Sequence, residues 1–162
     1  MVREARLEDA AAIARVHVAS WHAAYRALIP AGRLAAFTVP TRTAAWQRNL
    51  RPGAAVRTAV FDGPTGVLGF ASVGPSRDLG GWGEVWALYV DPAAWGRGVG
   101  SALFADAMVA LARRGLPDVL LWVLEGNDRA LGFYQGGGFA LDGARKVEDG
   151  LPQLRLRRRA AP

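Results

Sequence analysis

The chain has 162 residues, of which 51% are hydrophobic and 21% are charged. This length and composition predict one folded domain over residues 1–162 and exclude a disordered or low-complexity chain. Cysteine is absent, which excludes disulfides, thiol nucleophiles and thiolate metal sites.

The N-terminal segment and the apolar runs bear on where the protein resides. Residues Met1–Arg6 mix charges and lead into an amphipathic stretch, unlike a secretory signal. The longest apolar runs, such as Val119–Leu124, are far shorter than a membrane span. We therefore expect a cytoplasmic protein with no membrane partner.

The formal net charge is +6 and the isoelectric point is about 10.9. Part of this charge comes from Arg155 and Arg157–Arg159, where we expect a solvated edge strand to carry it. An anionic small molecule explains such a modest positive bias as well as a polyanion does. We therefore discount nucleic acid as a partner.

The first half of the chain predicts helices followed by an antiparallel hairpin. Helical spacing of apolar residues predicts the helices, and two apolar stretches around a turn-rich loop predict the hairpin. In chain order these elements are a strand at Val2–Arg6, helices at Ala10–Ala27 and Thr41–Leu50, and strands at Ala54–Phe61 and Val67–Val73.

The central segment predicts a crossover unit with parallel strands. A strand at Glu84–Val90 leads through a glycine-bearing loop to a helix at Val99–Arg114 and a strand at Val119–Leu124. A short helix at Asn127–Tyr134 follows, and then a last hairpin. The predicted fold class is a mixed α/β sheet with antiparallel N-terminal strands, this parallel unit and a C-terminal hairpin formed by residues 139–147 and 153–158.

The loop before the central helix carries Gly96, Gly98 and Gly100 at alternate positions. Glycine lets the main chain approach a ligand closely, and free N–H groups at a helix N-terminus favour an anion. The loop therefore suits a phosphate or pyrophosphate, with Arg97 adding charge from the rim. A tight strand-to-helix turn without a ligand would explain the same glycines.

Other phosphate and metal sites fit the sequence poorly. A Walker A loop needs a lysine after its glycine, and the sole lysine, Lys146, lies in a late strand. A dinucleotide fingerprint needs a third glycine where Ser101 stands. Two histidines, His17 and His22, lie five residues apart in a helix and point in different directions, so we expect no metal site.

Two segments resemble the motifs of the GNAT superfamily of N-acetyltransferases. Residues Leu88–Pro92 and Trp95–Leu103 are similar to its acetyl-CoA signature, Gln/Arg-x-x-Gly-x-Gly/Ala, except that Trp95 replaces the first residue. Residues Trp122–Phe139 resemble its second motif, with the Asn, Arg-Ala, Phe-Tyr and Gly-Phe elements in order. The resemblance implies a GNAT-like fold and acetyl-CoA-dependent transfer to an amine; homodimers are common among relatives.

The resemblance also implies roles for individual residues. Glu84 matches the base or water-relay position, and Tyr134 matches the tyrosine that protonates the coenzyme A sulfur. The main chain of Leu88–Val90 would stabilise the oxyanion and pair with the pantetheine arm. The residues implied in acetyl-CoA binding are Leu88, Tyr89, Val90, Gly96, Arg97, Gly98, Val99, Gly100, Ser101, Asn127 and Tyr134.

Each assignment has a structural alternative. Glu84 would equally be a solvated glutamate at a strand start, Tyr134 a core tyrosine and Asn127 a helix cap. The aromatic residues that either line an acceptor pocket or pack in the core are Trp21, Tyr25, Trp46, Trp82 and Trp86. The main alternative to an enzyme is a non-catalytic acyl-CoA-binding sensor or interaction module. A second alternative is an RNA- or DNA-binding protein that uses the arginine-rich C-terminal end.

Overall fold

The computed structural model describes residues 1–160, which form a seven-stranded mixed sheet with helices packed on it. In chain order the elements are β1 (Val2–Glu4), α1 (Ala10–Tyr25), α2 (Ala31–Ala36), α3 (Val39–Asn49), β2 (Arg57–Gly63), β3 (Gly66–Pro75), β4 (Gly83–Val90), α4 (Val99–Arg113), β5 (Val119–Leu124), α5 (Asp128–Gly136), β6 (Ala140–Glu148) and β7 (Leu151–Arg158).

The strand order across the sheet is β1-β2-β3-β4-β5-β7-β6. Strands β1 to β4 pair antiparallel, β4 and β5 pair parallel through the α4 crossover, and β7 pairs antiparallel with both β5 and β6. This arrangement confirms the predicted mixed α/β fold with its parallel central unit.

The core forms where α1 and α4 pack against the sheet. Helix α4 buries Leu103, Ala107 and Leu111, which recur every four residues and so lie on one face. Helix α1 buries Ile13 and Val16 against β2 and β3. Burying an aliphatic side chain of this size stabilises the fold by about 1.5 to 3 kcal/mol.

The helices differ from the sequence prediction in their boundaries and in number. Helix α1 ends at Tyr25 rather than Ala27, and α3 begins at Val39 because Pro40 occupies the first turn, where no N–H donor is needed. Helix α2 was not predicted. Pro30 is the residue immediately before this six-residue helix.

The prediction of a solvated edge strand for the C-terminal arginines is wrong. Strand β7 lies inside the sheet, between β5 and β6. Arg155 and Arg157 place their guanidinium groups 2.8 and 2.6 Å from the Asp142 carboxylate, whose side chain is 5% exposed. These two charges are therefore paired within the fold.

Two further searches cover residues 1–160 only. No helix in this part of the chain is long and apolar enough to cross a membrane. Nor does it contain a group of three or more histidine, aspartate or glutamate side chains that could hold a metal ion.

Replacing Asp142 by asparagine (Asp142→Asn) should lower the free energy of unfolding by about 1 to 2 kcal/mol at pH 7, because two arginines lose their partner. Burial alone would raise the pKa of Asp142, but hydrogen bonds from Ala144 and Arg155, with the charges of Arg155 and Arg157, hold it below its usual value. Its stabilisation is therefore present above about pH 4 and is lost as the pH falls through the lower folded pKa.

Urea denaturation at several pH values measures this effect. The difference between wild type and Asp142→Asn should shrink on acidification. The matched control is Asp149→Asn in the β6–β7 turn, where the carboxylate is 81% exposed and the change should stay within about 0.5 kcal/mol. Equal losses in both variants, or a difference independent of pH, would contradict the prediction.

Candidate active site

The parallel strands β4 and β5 separate after a short paired stretch. Residues Gly83–Val85 pair with Val119–Leu121, and the ladder ends there. On its other side, β4 pairs with β3 along its length but carries one extra residue, Trp86, as a bulge. Such a bulge bends the strand and increases its twist, and the remainder of β4 faces a gap.

The register with β3 determines which main-chain groups of β4 face this gap. The Asp91 N–H donates to the Leu68 carbonyl at 2.8 Å, and in an antiparallel ladder such bonds occur at every second residue. Tyr89 therefore uses its main chain in the ladder with Phe70. The main-chain groups of Leu88 and Val90 point into the gap, so only two of the three predicted residues present theirs.

A cavity of about 500 Å³ fills the gap and extends to the start of α4. Of the predicted ligand-binding residues, it is lined by Leu88, Tyr89, Val90, Gly96, Gly98, Gly100, Ser101, Asn127 and Tyr134. Arg97 and Val99 do not line it. Arg97 is exposed to solvent, and the Val99 side chain is buried in the core.

The glycine loop forms a cradle at the mouth of this cavity. Gly96 and Gly98 have φ angles of 74° and 79°, a left-handed conformation that favours glycine. A Cβ atom at either residue would meet nothing within 4 Å. Among residues 1–160, no acceptor pairs with the N–H groups of Gly98–Ser101. Free donors at the N-terminus of a 15-residue helix are suited to an anion.

The Val90 carbonyl holds three elements together. It accepts hydrogen bonds from Ser20 Oγ of α1 at 2.6 Å and from Trp95 Nε1 at 2.8 Å. The Arg129 guanidinium lies 4.1 Å from the Trp95 ring centroid. Trp95 therefore fixes the glycine loop to the end of β4 and holds a cation beside the cavity. Sequence reasoning missed Ser20, whose signal was its position on the apolar face of α1. It placed Arg129 in the Arg-Ala element of the second motif but gave it no role.

Three tyrosines line this cavity: Tyr25, Tyr89 and Tyr134. Tyr134 is 8% exposed and lines the large cavity. Burial, and then the nearby Tyr25, raises the pKa of Tyr134 well above that of a free phenol, so the group stays protonated at neutral pH. The hydroxyl oxygens of Tyr25 and Tyr89 lie 3.4 Å apart. Asn127 lines the cavity and also caps α5, because its side chain accepts from the Ala130 N–H.

A second cavity of about 230 Å³ adjoins the first and contains Glu84. The Glu84 side chain is 1% exposed, so the alternative interpretation of a solvated glutamate is wrong. Its carboxylate accepts from the Arg77 backbone N–H at 3.0 Å and from the Arg77 guanidinium at 2.5 Å. Arg77, on the β3–β4 loop, had no signal in the sequence.

The aromatic candidates divide between cavity and core. Trp21, Tyr25 and Trp86 line the second cavity, whereas Trp46 is buried in the core beside α1. Trp82 lines neither cavity. Sequence reasoning also missed Trp122, which lines both.

Behind the cavities, His17 helps to hold Tyr89 in place. Burial, and then the charge of Arg42, lowers the pKa of His17 to about 3, so the ring is neutral at physiological pH. Its Nδ1 accepts from Trp46 Nε1 at 3.2 Å. The His17 and Tyr89 ring centroids lie 4.7 Å apart.

Comparison with known sequences gives a family and several relatives. The model of the acetyltransferase (GNAT) family matches residues 15–139. The uncharacterized N-acetyltransferase YuaI of Bacillus subtilis is 34% identical over 160 residues, which cover 93% of this chain and 90% of YuaI. A mycothiol acetyltransferase of Nocardioides is 40% identical over 93 residues, or 51% of this chain but only 30% of that protein.

Comparison with solved structures supports the same fold. The PaiA N-acetyltransferase from Thermoplasma acidophilum, solved in complex with coenzyme A, superposes with a TM-score of 0.81 at 15% identity, over 96% of each chain. The YncA protein from Salmonella typhimurium, solved with its cofactor acetyl-CoA, gives a TM-score of 0.71 at 24% identity, over 100% of this chain and 96% of that one.

Proposed function

Because the chain belongs to the GNAT family of acetyltransferases, we propose that it is an N-acetyltransferase that binds acetyl-CoA and a primary amine together and transfers the acetyl group directly between them. Acetyl-CoA is the co-substrate and supplies an acetyl thioester. In the transfer the amine nitrogen bonds to the acetyl carbon, the carbon–sulfur bond breaks, and the sulfur leaves as the free thiol.

The single observation that carries this proposal is the glycine cradle beside the open β4–β5 gap. The free N–H groups of Gly98–Ser101 suit the diphosphate of coenzyme A, because several main-chain donors and the positive end of a helix converge on one point. The space in front of Gly96 and Gly98 is open. The cradle therefore fits this group.

The main chain of β4 would bind the rest of the co-substrate. Leu88 and Val90 point their main-chain groups into the gap, and the Val90 carbonyl is already occupied by Ser20 and Trp95. The remaining N–H donors of Leu88 and Val90 can pair with the pantetheine amides and stabilise the oxyanion. Tyr89 contributes its side chain rather than its main chain.

Tyr134 would assist the departing sulfur. Burial raises the pKa of the Tyr134 phenol, which makes it a weaker acid. It can still donate a strong hydrogen bond to a negatively charged acceptor. Tyr134 then acts mainly as a hydrogen-bond donor to the developing thiolate.

Glu84 would help to remove the proton from the amine, acting through water. Its carboxylate lies in the second cavity, on the strand that forms one side of the gap. Because Glu84 lines the second cavity and not the first, a water molecule would carry the proton from the amine to its carboxylate.

A methyl group in the cradle should weaken coenzyme A binding. Gly98→Ala places a Cβ in the open space at a φ of 79°, which strains the backbone by about 1 to 2 kcal/mol. Gly115→Ala at the end of α4 is the matched control, since its φ is 73° and the space there is also open. Calorimetry should show a roughly tenfold or greater loss of affinity for Gly98→Ala only.

Two results would contradict the proposal. If the wild type gives no binding heat with coenzyme A or acetyl-CoA, the cradle does not bind the co-substrate. If the protein binds acetyl-CoA but releases no thiol with any amine of a panel, it does not transfer the acetyl group. That result would support the non-catalytic acyl-CoA-binding module instead.

Removing the Tyr134 hydroxyl should slow the reaction. Tyr134→Phe should lower kcat about 10- to 1000-fold, because the thiolate loses its donor, with little change in acetyl-CoA affinity. A thiol-release assay gives kcat, and calorimetry gives the affinity. Unchanged turnover would exclude Tyr134 from the mechanism.

Neutralising Glu84 should change the pH dependence of the reaction. Glu84→Gln should flatten the acidic limb of the kcat/KM profile, since that limb reports protonation of the base. Arg77→Gln is the control: it removes the guanidinium but keeps the carboxylate and the Arg77 backbone donor, so the acidic limb should remain. An unaltered profile in Glu84→Gln would show that Glu84 is not the base.

A further inference from the structure

The second cavity opens onto the place where the acetyl group would lie. Five residues line both cavities: Tyr25, Val85, Trp86, Tyr89 and Trp122. Trp86 is the bulge residue at which β4 leaves β5. A molecule in the second cavity therefore meets the contents of the first at the gap, as an acetyl acceptor must.

Five of the thirteen residues that line this cavity have flat aromatic side chains: Trp21, Tyr25, Trp86, Tyr89 and Trp122. Trp21 is held by stacking on Phe37, with ring centroids 3.9 Å apart and planes at 20°. The Trp86 indole donates to the Pro75 carbonyl at 3.3 Å. Aromatic faces in fixed orientations complement another flat ring, and such a pair contributes beyond the area it buries.

The charges in the wall favour an ammonium group over a carboxylate. The cavity is lined by the carboxylates Glu84 and Glu148 and by one cation, Arg77. Arg77 is paired with Glu84 and lies 4.2 Å from the Trp86 ring centroid. Glu148 is paired with Lys146 at 3.2 Å, but Lys146 does not line the cavity. The lining residues therefore carry two negative charges and one positive charge, a balance that favours an amine cation over a carboxylate.

The size of the cavity limits the acceptor. Its volume of about 230 Å³ corresponds to roughly eight water molecules at about 30 Å³ each. A ligand with on the order of ten non-hydrogen atoms would fill it by the same measure. This is the size of one ring with a short amine chain.

We infer that the acceptor is a small amine carried by a flat aromatic ring without a neighbouring carboxylate, as in 2-arylethylamines. This inference rests on the proposed acetyl transfer and adds the acceptor class. In the reaction the ammonium first loses a proton, the free amine forms a C–N bond to the acetyl carbon, and the C–S bond breaks. The acetylated nitrogen then loses its second proton and the sulfur takes one up, so the products are the N-acetyl amine, free coenzyme A and the one proton that the ammonium released.

A panel of matched amines tests the inference on the wild-type protein. The kcat/KM for 2-phenylethylamine and tryptamine should exceed that for n-hexylamine and spermidine at least tenfold, because only the aromatic amines stack on the walls. Phenylalanine is 2-phenylethylamine with an added carboxylate, and its kcat/KM should be at least tenfold lower than that of 2-phenylethylamine. Equal or better use of n-hexylamine, spermidine or phenylalanine would overturn the inference.

A variant of the wall tests the ring contact directly. Trp21 lines the second cavity but not the first, so Trp21→Leu should raise the KM for 2-phenylethylamine about tenfold and leave the KM for acetyl-CoA unchanged. Trp82→Leu is the matched control, since Trp82 lines neither cavity. An equal effect of both variants would overturn the inference. Should Trp21→Leu fail to fold, the wild-type panel decides.

The failure of the inference differs from the failure of the proposed function. If aliphatic amines are acetylated in preference to aromatic ones, the inference is overturned and acetyl transfer stands. If no amine is acetylated, the proposed function has failed. Calorimetry with 2-phenylethylamine in the presence of coenzyme A then tests whether the second cavity binds an aromatic amine. Binding that Trp21→Leu weakens would support the inference, and no binding would overturn it.

Discussion

The separation of β4 from β5 is the constraint on which the rest of the site depends. Buried main-chain groups are costly to leave unpaired, and ending the ladder after Val85 exposes several of them. The Val90 carbonyl is satisfied by Ser20 and Trp95. These two side chains donate the hydrogen bonds that a neighbouring strand would otherwise give to this carbonyl. The gap therefore stays open, and the N–H donors of Leu88 and Val90 remain available to a ligand.

The polar groups around the gap are divided between two environments. The large cavity holds main-chain donors and the protonated Tyr134 hydroxyl, which suit groups that become negative. The second cavity holds the Glu84 carboxylate, which suits a group that begins positive. Tyr25 and Tyr89 line both cavities. A transfer that removes a proton on one side and adds one on the other needs such an asymmetry.

Local patterns predicted the crossover unit and the glycine loop, because strand–helix–strand order and alternate glycines are visible within about forty residues. They did not predict Ser20 bonding to Val90, which lies 70 residues away, or Arg77 holding Glu84. The six residues of α2 are too few to show a helical period. The sequence placed β7 at an edge of the sheet, which was wrong, because the strand order depends on its pairing with β5. No local pattern encodes that pairing.

The tryptophans are concentrated around the two cavities. Of the six in the chain, Trp21, Trp86, Trp95 and Trp122 line one cavity or both. Their indole rings dominate the ultraviolet emission of the protein, and their surroundings change when a ligand displaces water from the walls. The intrinsic fluorescence of the chain is consequently a label-free reporter of occupancy, which a more even distribution of the same six residues would not provide.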